Sequence, residues 1–195
     1  MKEPGIQMKL NNKIAIITGA GNGIGRGVAI AAAREGAKIA ICDLDQKGLE
    51  TTAQLAREYN EVFLSRIDVC DGEAIASFVK SAYTHFGQID VLVNVAGIMP
   101  VVNNEEIDEA VVDDILAVNL KAPIMFTKYV IPLMKKSDGG AIIHMASVTG
   151  HNGHPGITVY GATKGGLMAL ARGQAMELAK DRIRVNTVSP GTVDS

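Results

Sequence analysis

From residue 13 onward, short aliphatic runs alternate with longer segments of helical period, and that alternation leaves few architectures open. The runs fall at 13–18, 38–42, 62–66, 91–93, 141–145 and 184–189. Each is largely apolar rather than alternating, as strands are when helices cover both faces of their sheet. Between the runs the spacing predicts helices over 23–35, 46–59, 71–86, 108–135 and 158–180. In the first, Ile24, Val28, Ala31 and Ala32 form an apolar stripe, and Gly36 ends it. Asp71 caps the third helix and Gly87 stops it. Six strands and five helices in this order predict an α/β protein with a doubly wound parallel sheet. A chain of 195 residues has room for one such domain, over 8–195. The polar segment 1–7, with Pro4 and Gly5 ahead of a second methionine at Met8, reads as an N-terminal extension.

Composition narrows the function classes. Apolar residues make up 47% and aromatics 4%, with no Trp, so the core is aliphatic. Nineteen Lys and Arg against 21 Asp and Glu give a net charge of -2, which offers no excess of cations to nucleic acid or to an anionic membrane. Cys42 and Cys70 are too few for a disulfide framework and lack zinc spacing. With no long apolar run and no charged-then-apolar leader, the expected location is the cytoplasm.

The first strand leads into Thr18-Gly19-Ala20-Gly21-Asn22-Gly23-Ile24-Gly25 at the start of the first helix. Glycines let the backbone approach a ligand closely, and free amides at a helix start attract a pyrophosphate. Such turns also serve merely to reverse the chain, but position between strand and helix favours dinucleotide binding. Asp43 follows the second strand, 24 residues beyond Gly19. A carboxylate there accepts from both hydroxyls of an adenosine ribose and repels a 2′-phosphate, which favours NAD over NADP. Asn22 and Leu44 add no cation, and Arg26 is the one residue that argues for NADP. The competing role for Asp43 is capping of the second helix.

A second constellation lies further on, where Ser147 follows the fifth strand and Tyr160-Gly161-Ala162-Thr163-Lys164 opens the last helix. Tyr160 and Lys164 are i and i+4, one turn apart on one face. Bringing a phenol from a pKa near 10 to about 7 requires roughly 4 kcal/mol, and a cation at ~4 Å in an effective dielectric of about 20 supplies that much. With Ser147 donating to a substrate oxygen, Tyr160 can exchange the hydroxyl proton while hydride moves to or from a nicotinamide. A Tyr-Lys pair alone is common for packing reasons; its co-occurrence with the glycine turn gives it weight.

In these motifs, and in their order from residue 13 to 195, the chain resembles the short-chain dehydrogenase/reductases of the compact, Rossmann-type class. The resemblance implies a glycine turn at Gly19, Gly23, Ile24 and Gly25 and a cofactor acid at Asp43. It implies an adenine contact at Asp68 and Val69, and a post-strand motif at Asn94-Val95-Ala96-Gly97. There Val95 departs from the usual Asn, which predicts the loss of one polar contact that stabilises the central sheet. The implied catalytic tetrad is Asn119, Ser147, Tyr160 and Lys164, with Ser147 and Tyr160 13 residues apart. Asn119 would hold a water that links Lys164 to solvent; by itself it reads as a helix kink reinforced by Pro123. Pro190 and Gly191 match the turn that leads to the nicotinamide, with Val193 and Ser195 in the contact region. Family members usually continue through a substrate-covering helix pair and a seventh strand, so the expected sheet has six strands and no lid. A homotetramer is implied, through the helices starting near Asp108 and Thr158, or a dimer if the chain is a truncated form.

His144 reads as a strand residue, while His151 and His154 sit on the loop between Ser147 and Tyr160, facing substrate or solvent. No ligand pattern completes a metal site around them. Asp113 and Asp114 read as a solvated helix face. Ile98, Met99, Val148, His151, His154 and Ile157 are the pocket candidates. The expected activity is NAD-linked oxidation of a small-molecule secondary alcohol to its ketone. The alternatives are an NADPH-dependent 3-oxoacyl thioester reductase and a dinucleotide-binding regulator without catalysis.

Overall fold

The computed structural model describes residues 8–193, so the expected extension at 1–7 and the contact at Ser195 lie outside the described residues. The chain runs β1 (Ile14–Thr18), α1 (Gly23–Arg34), β2 (Lys38–Asp43), α2 (Gln46–Arg57), β3 (Val62–Arg66), α3 (Gly72–Phe86), β4 (Val91–Asn94), α4 (Glu109–Leu116), α5 (Ala122–Lys136), β5 (Gly140–Met145), α6 (Thr158–Leu178) and β6 (Ile183–Val188). The six strands form one parallel sheet in the order β3-β2-β1-β4-β5-β6. Successive strands are added outward in one direction from β1 to β3 and in the other from β4 to β6, and this switch between β1 and β4 opens a crevice at their carboxyl ends.

The two-residue period of a strand explains why both sheet faces are apolar. In β1, Ile14 and Ile16 face the layer of α3, α5 and α6, packing with Phe78, Phe126 and Ile142. Ala15 and Ile17 face α1 and α2, where they pack with Ala29, Ile39 and Leu49. Asp90, buried at the start of β4, accepts from the Ile14 amide at 2.8 Å and from Lys13 Nζ at 3.0 Å, and so aligns the two central strands at their amino ends.

One expected element divides. The segment 108–135 is not a single kinked helix; α4 and α5 are joined by a π-helical turn over Ala117–Lys121. Pro123 has no N–H to give to the carbonyl four residues back, which is that of Asn119, and its ring crowds that carbonyl. The disturbance therefore appears one turn before the proline, and it carries Asn119 into the interior, fully buried.

Candidate active site

At the mouth of the crevice lies a cavity of about 780 Å³, within the range of small-molecule sites. The glycine turn forms one end. Gly19 has φ +66°, and a Cβ there would stand 2.7 Å from the Ala96 backbone, so the turn presses directly against the end of β4. A Cβ on Gly25 would meet the Gly19 carbonyl oxygen at 1.9 Å, which fastens α1 to the turn. The amino end of α1 is also left open. Its cap residue Asn22 makes no side-chain hydrogen bond and its first turn holds no carboxylate. By contrast, Asp71 and Asp108 occupy the first amides of α3 and α4. An open helix start beside Gly23 and Ile24 fits a pyrophosphate.

Asp43, at the end of β2, does not cap α2. Its Oδ2 accepts from the Gly21 amide at 2.8 Å and its Oδ1 from the Asp45 amide at 3.0 Å. Both carboxylate oxygens are thereby aimed, and each keeps a lone pair for a further donor. Arg26 donates to Thr52 Oγ1 at 3.0 Å and to the Gly21 carbonyl. Leu44, exposed, and Asp68 and Val69 complete the wall around Asp43.

At the other end, Ser147, Tyr160 and Lys164 line the same cavity. Ser147 has extended backbone and its Oγ accepts from the Thr149 amide at 3.2 Å. Lys164, on the first turns of α6, is buried; its Nζ donates to the Met145 carbonyl at 2.7 Å and lies 5.4 Å from the centroid of the Tyr160 ring. Burial pushes its pKa down from 10.5 to about 8. The cation and the phenol face each other, as the i, i+4 spacing requires.

Asn119 is placed close by, but its amide is committed to backbone. Oδ1 accepts from the Ile98 N–H and Nδ2 donates to the Ile98 carbonyl, both at 2.8 Å, so the side chain pins the loop after β4. Ala96 and Gly97 of that loop line the cavity; Asn94 stands behind it, its Nδ2 donating to His144 Nδ1 at 3.1 Å. His144 in turn donates from Nε2 to Gln174, and its burial lowers the imidazole pKa. Pro190, Gly191 and Val193 close the cavity near Ser147.

Of the pocket candidates, Ile98, Met99, Val148, His154 and Ile157 line the cavity, while His151 is turned to Ser189 Oγ at 3.2 Å. Asp113 and Asp114 are exposed on α4. Two features were not expected. At the departure the backbone is tied to β1, because Thr18 Oγ1 accepts from both the Val95 and Ala96 amides, at 3.0 and 3.1 Å. A hydroxyl at the end of a central strand was the available signal for this. Thr149, Val101 and Pro155 also line the cavity, and only the approach of two loops brings them there, with the Val102 amide donating to the Gly156 carbonyl at 2.8 Å.

The sequence matches the short chain dehydrogenase family over residues 13–195. It is 39% identical over 188 residues to galactitol 2-dehydrogenase of Agrobacterium fabrum, covering 96% of this chain and 73% of that protein. It is 35% identical to the 3-oxoacyl-(acyl-carrier-protein) reductase of Thermotoga maritima, covering 96% and 77%. Among solved structures, an NAD+-bound xylitol dehydrogenase superimposes with a TM-score of 0.93 at 33% identity, over 96% of this chain and 73% of the other.

Proposed function

The chain belongs to the short chain dehydrogenase family, oxidoreductases that use NAD(P), and on that premise we propose that it oxidises a secondary alcohol to a ketone with NAD. The observation that carries this reading is a single cavity with the aimed carboxylate of Asp43 at one end and the Ser147, Tyr160 and Lys164 cluster at the other. When bound, NAD supplies the hydride acceptor. The open amides of α1 hold the pyrophosphate, and Asp43 takes the adenosine ribose hydroxyls where a 2′-phosphate would be repelled. Gly97 and the turn at Pro190 and Gly191 bracket the reacting end.

Ser147 Oγ already accepts from the Thr149 amide, which leaves its O–H to donate to the substrate oxygen. Tyr160, as the phenolate, takes the proton leaving that oxygen and becomes the neutral phenol. Lys164, a cation at neutral pH, favours the anionic form that accepts this proton and keeps its own position through Met145. Asn119 acts by holding the Ile98 loop beside Lys164. Met99, Val101, Val148 and Ile157 receive the body of the substrate. The chain works as a homo-oligomer that covers exposed Leu116 and Ile124 on the α4–α5 face and Met176 on α6, which sedimentation tests.

The direct assay follows reduced nicotinamide by its near-ultraviolet absorbance, with NAD or NADP and a panel of secondary alcohols that includes polyols. NAD is expected to be used faster than NADP at equal concentration. Faster use of NADPH with a 3-oxoacyl thioester would replace this reading with the reductase, and nucleotide binding without turnover of any alcohol or ketone would favour a regulator.

A further inference from the structure

Asp43 owes its orientation to a chain of hydrogen bonds that begins on the far side of the glycine turn. The carbonyl of Ala20 and the amide of Gly21 belong to one peptide group. Its N–H donates to Asp43 Oδ2 at 2.8 Å, and its C=O accepts from the buried Thr52 hydroxyl at 2.7 Å. That hydroxyl accepts from Arg26 Nε at 3.0 Å, so its single hydrogen is directed toward the carbonyl oxygens of Ala20 and, at 3.0 Å, Gly48. Arg26 also donates to the carbonyl of Gly21, which holds the next peptide group. Space around the turn is closed as well: a Cβ on Gly21 would stand 2.9 Å from the Asp43 carboxyl, and one on Gly48 would stand 2.5 Å from the Gly21 carbonyl oxygen. The peptide that aims the carboxylate is thus hydrogen-bonded at both its N–H and its C=O.

We propose that Thr52 and Arg26 are positioning residues for cofactor selection, acting through the Ala20–Gly21 peptide to aim the Asp43 carboxylate. The inference rests on the reading of Asp43 as the ribose ligand. It also gives Arg26 a role other than binding a 2′-phosphate: its Nε donates to Thr52 and its Nη2 to the Gly21 carbonyl. The relay selects by geometry. A carboxylate held in one rotamer meets two ribose hydroxyls without the cost of ordering on binding, and it places its charge where a 2′-phosphate would sit.

The experiment measures NAD and NADP affinity of the intact protein by calorimetry, without substrate, for wild type, Thr52→Val, Thr52→Ser, Arg26→Met, Asp43→Ala and the Thr52→Val/Asp43→Ala double variant. Loss of one buried hydrogen bond predicts that Thr52→Val weakens NAD binding about tenfold and NADP binding much less. Thr52→Ser, which keeps the hydroxyl, restores NAD binding. In the Asp43→Ala background Thr52→Val has no further effect on NAD. Equal weakening of both nucleotides by Thr52→Val, or the same loss of NAD affinity with and without Asp43, would overturn the relay. So would a larger loss for NADP than for NAD in Arg26→Met, since that is the signature of a phosphate ligand. Tighter binding of NADP than NAD by wild type would instead remove the NAD preference, and the coupling between Thr52 and Asp43 would still decide the relay by itself.

Discussion

The two ends of the cavity are built by different means. At the nucleotide end, β1, α1 and β2 follow one another closely in the chain, and the site is made of backbone: open amides, glycines pressed against carbonyls, and a carboxylate oriented by two N–H groups. At the reacting end, side chains far apart in sequence do the holding. Lys164 reaches the Met145 carbonyl, Asn119 the Ile98 peptide and His144 both Asn94 and Gln174. A backbone site is spoiled by adding an atom and a side-chain site by removing one, so single substitutions tell the two apart.

The largest effect is expected at the reacting end. Tyr160→Phe removes only the hydroxyl proposed to exchange the proton, and turnover should fall about 10³-fold, within the usual range for acid–base catalysis, while calorimetry still detects NAD binding. Undiminished turnover in this variant refutes the assigned proton transfer.

Next is the pH dependence of stability. Burial opposes the ammonium form of Lys164, lowering its pKa in the folded chain from 10.5 to about 8. Below pH 8 the lysine is charged in folded and unfolded states alike, and the fold bears the full penalty. Between the two values the unfolded chain binds the extra proton, so stability rises with pH, by roughly 3 kcal/mol in all at 1.36 kcal/mol per unit. Urea unfolding across this window should show the rise in wild type and its loss in Lys164→Met. Parallel curves for the two would mean that Lys164 is solvated.

The smallest effect belongs to the nucleotide end. Gly25→Ala drives a methyl into the Gly19 carbonyl, and overpacking of this kind costs about 1–3 kcal/mol. Thermal unfolding and NAD affinity should fall together, because the same contact shapes both the turn and the start of α1. A variant that loses neither would show that the turn has slack the glycine does not need.

Local pattern was enough to locate most of the architecture. All six strands lie within one residue of where apolar runs place them, since each run is short and bounded by turn residues, although only the inner strands are buried on both sides while β3 and β6 at the edges are partly exposed. Tyr160 and Lys164 were legible as a facing pair because helical geometry sets their separation whatever else the chain does. The division of 108–135 was not legible: a proline announces a disturbance, but the π turn at 117–121 lies a turn earlier and depends on Asn119 finding the Ile98 peptide. For His151 the sequence left substrate and solvent both open; it is exposed and bonded to Ser189 Oγ, a partner 38 residues on that local pattern does not reveal.

By itself, then, the amino-acid order determined the sheet, the helices that cover it and the residue types gathered at the carboxyl end of the sheet, because periodicity and helix termini act over a few residues. Only tertiary structure decided which of them are free. Asn94 gives its Nδ2 to His144 while its buried Oδ1 has no partner among the described residues, Arg26 donates to Thr52 and to the turn, and Asn119 is committed to Ile98, whereas Asp43 keeps lone pairs open. A polar side chain's remaining capacity depends on donors and acceptors brought from distant parts of the chain, and folding is what introduces them.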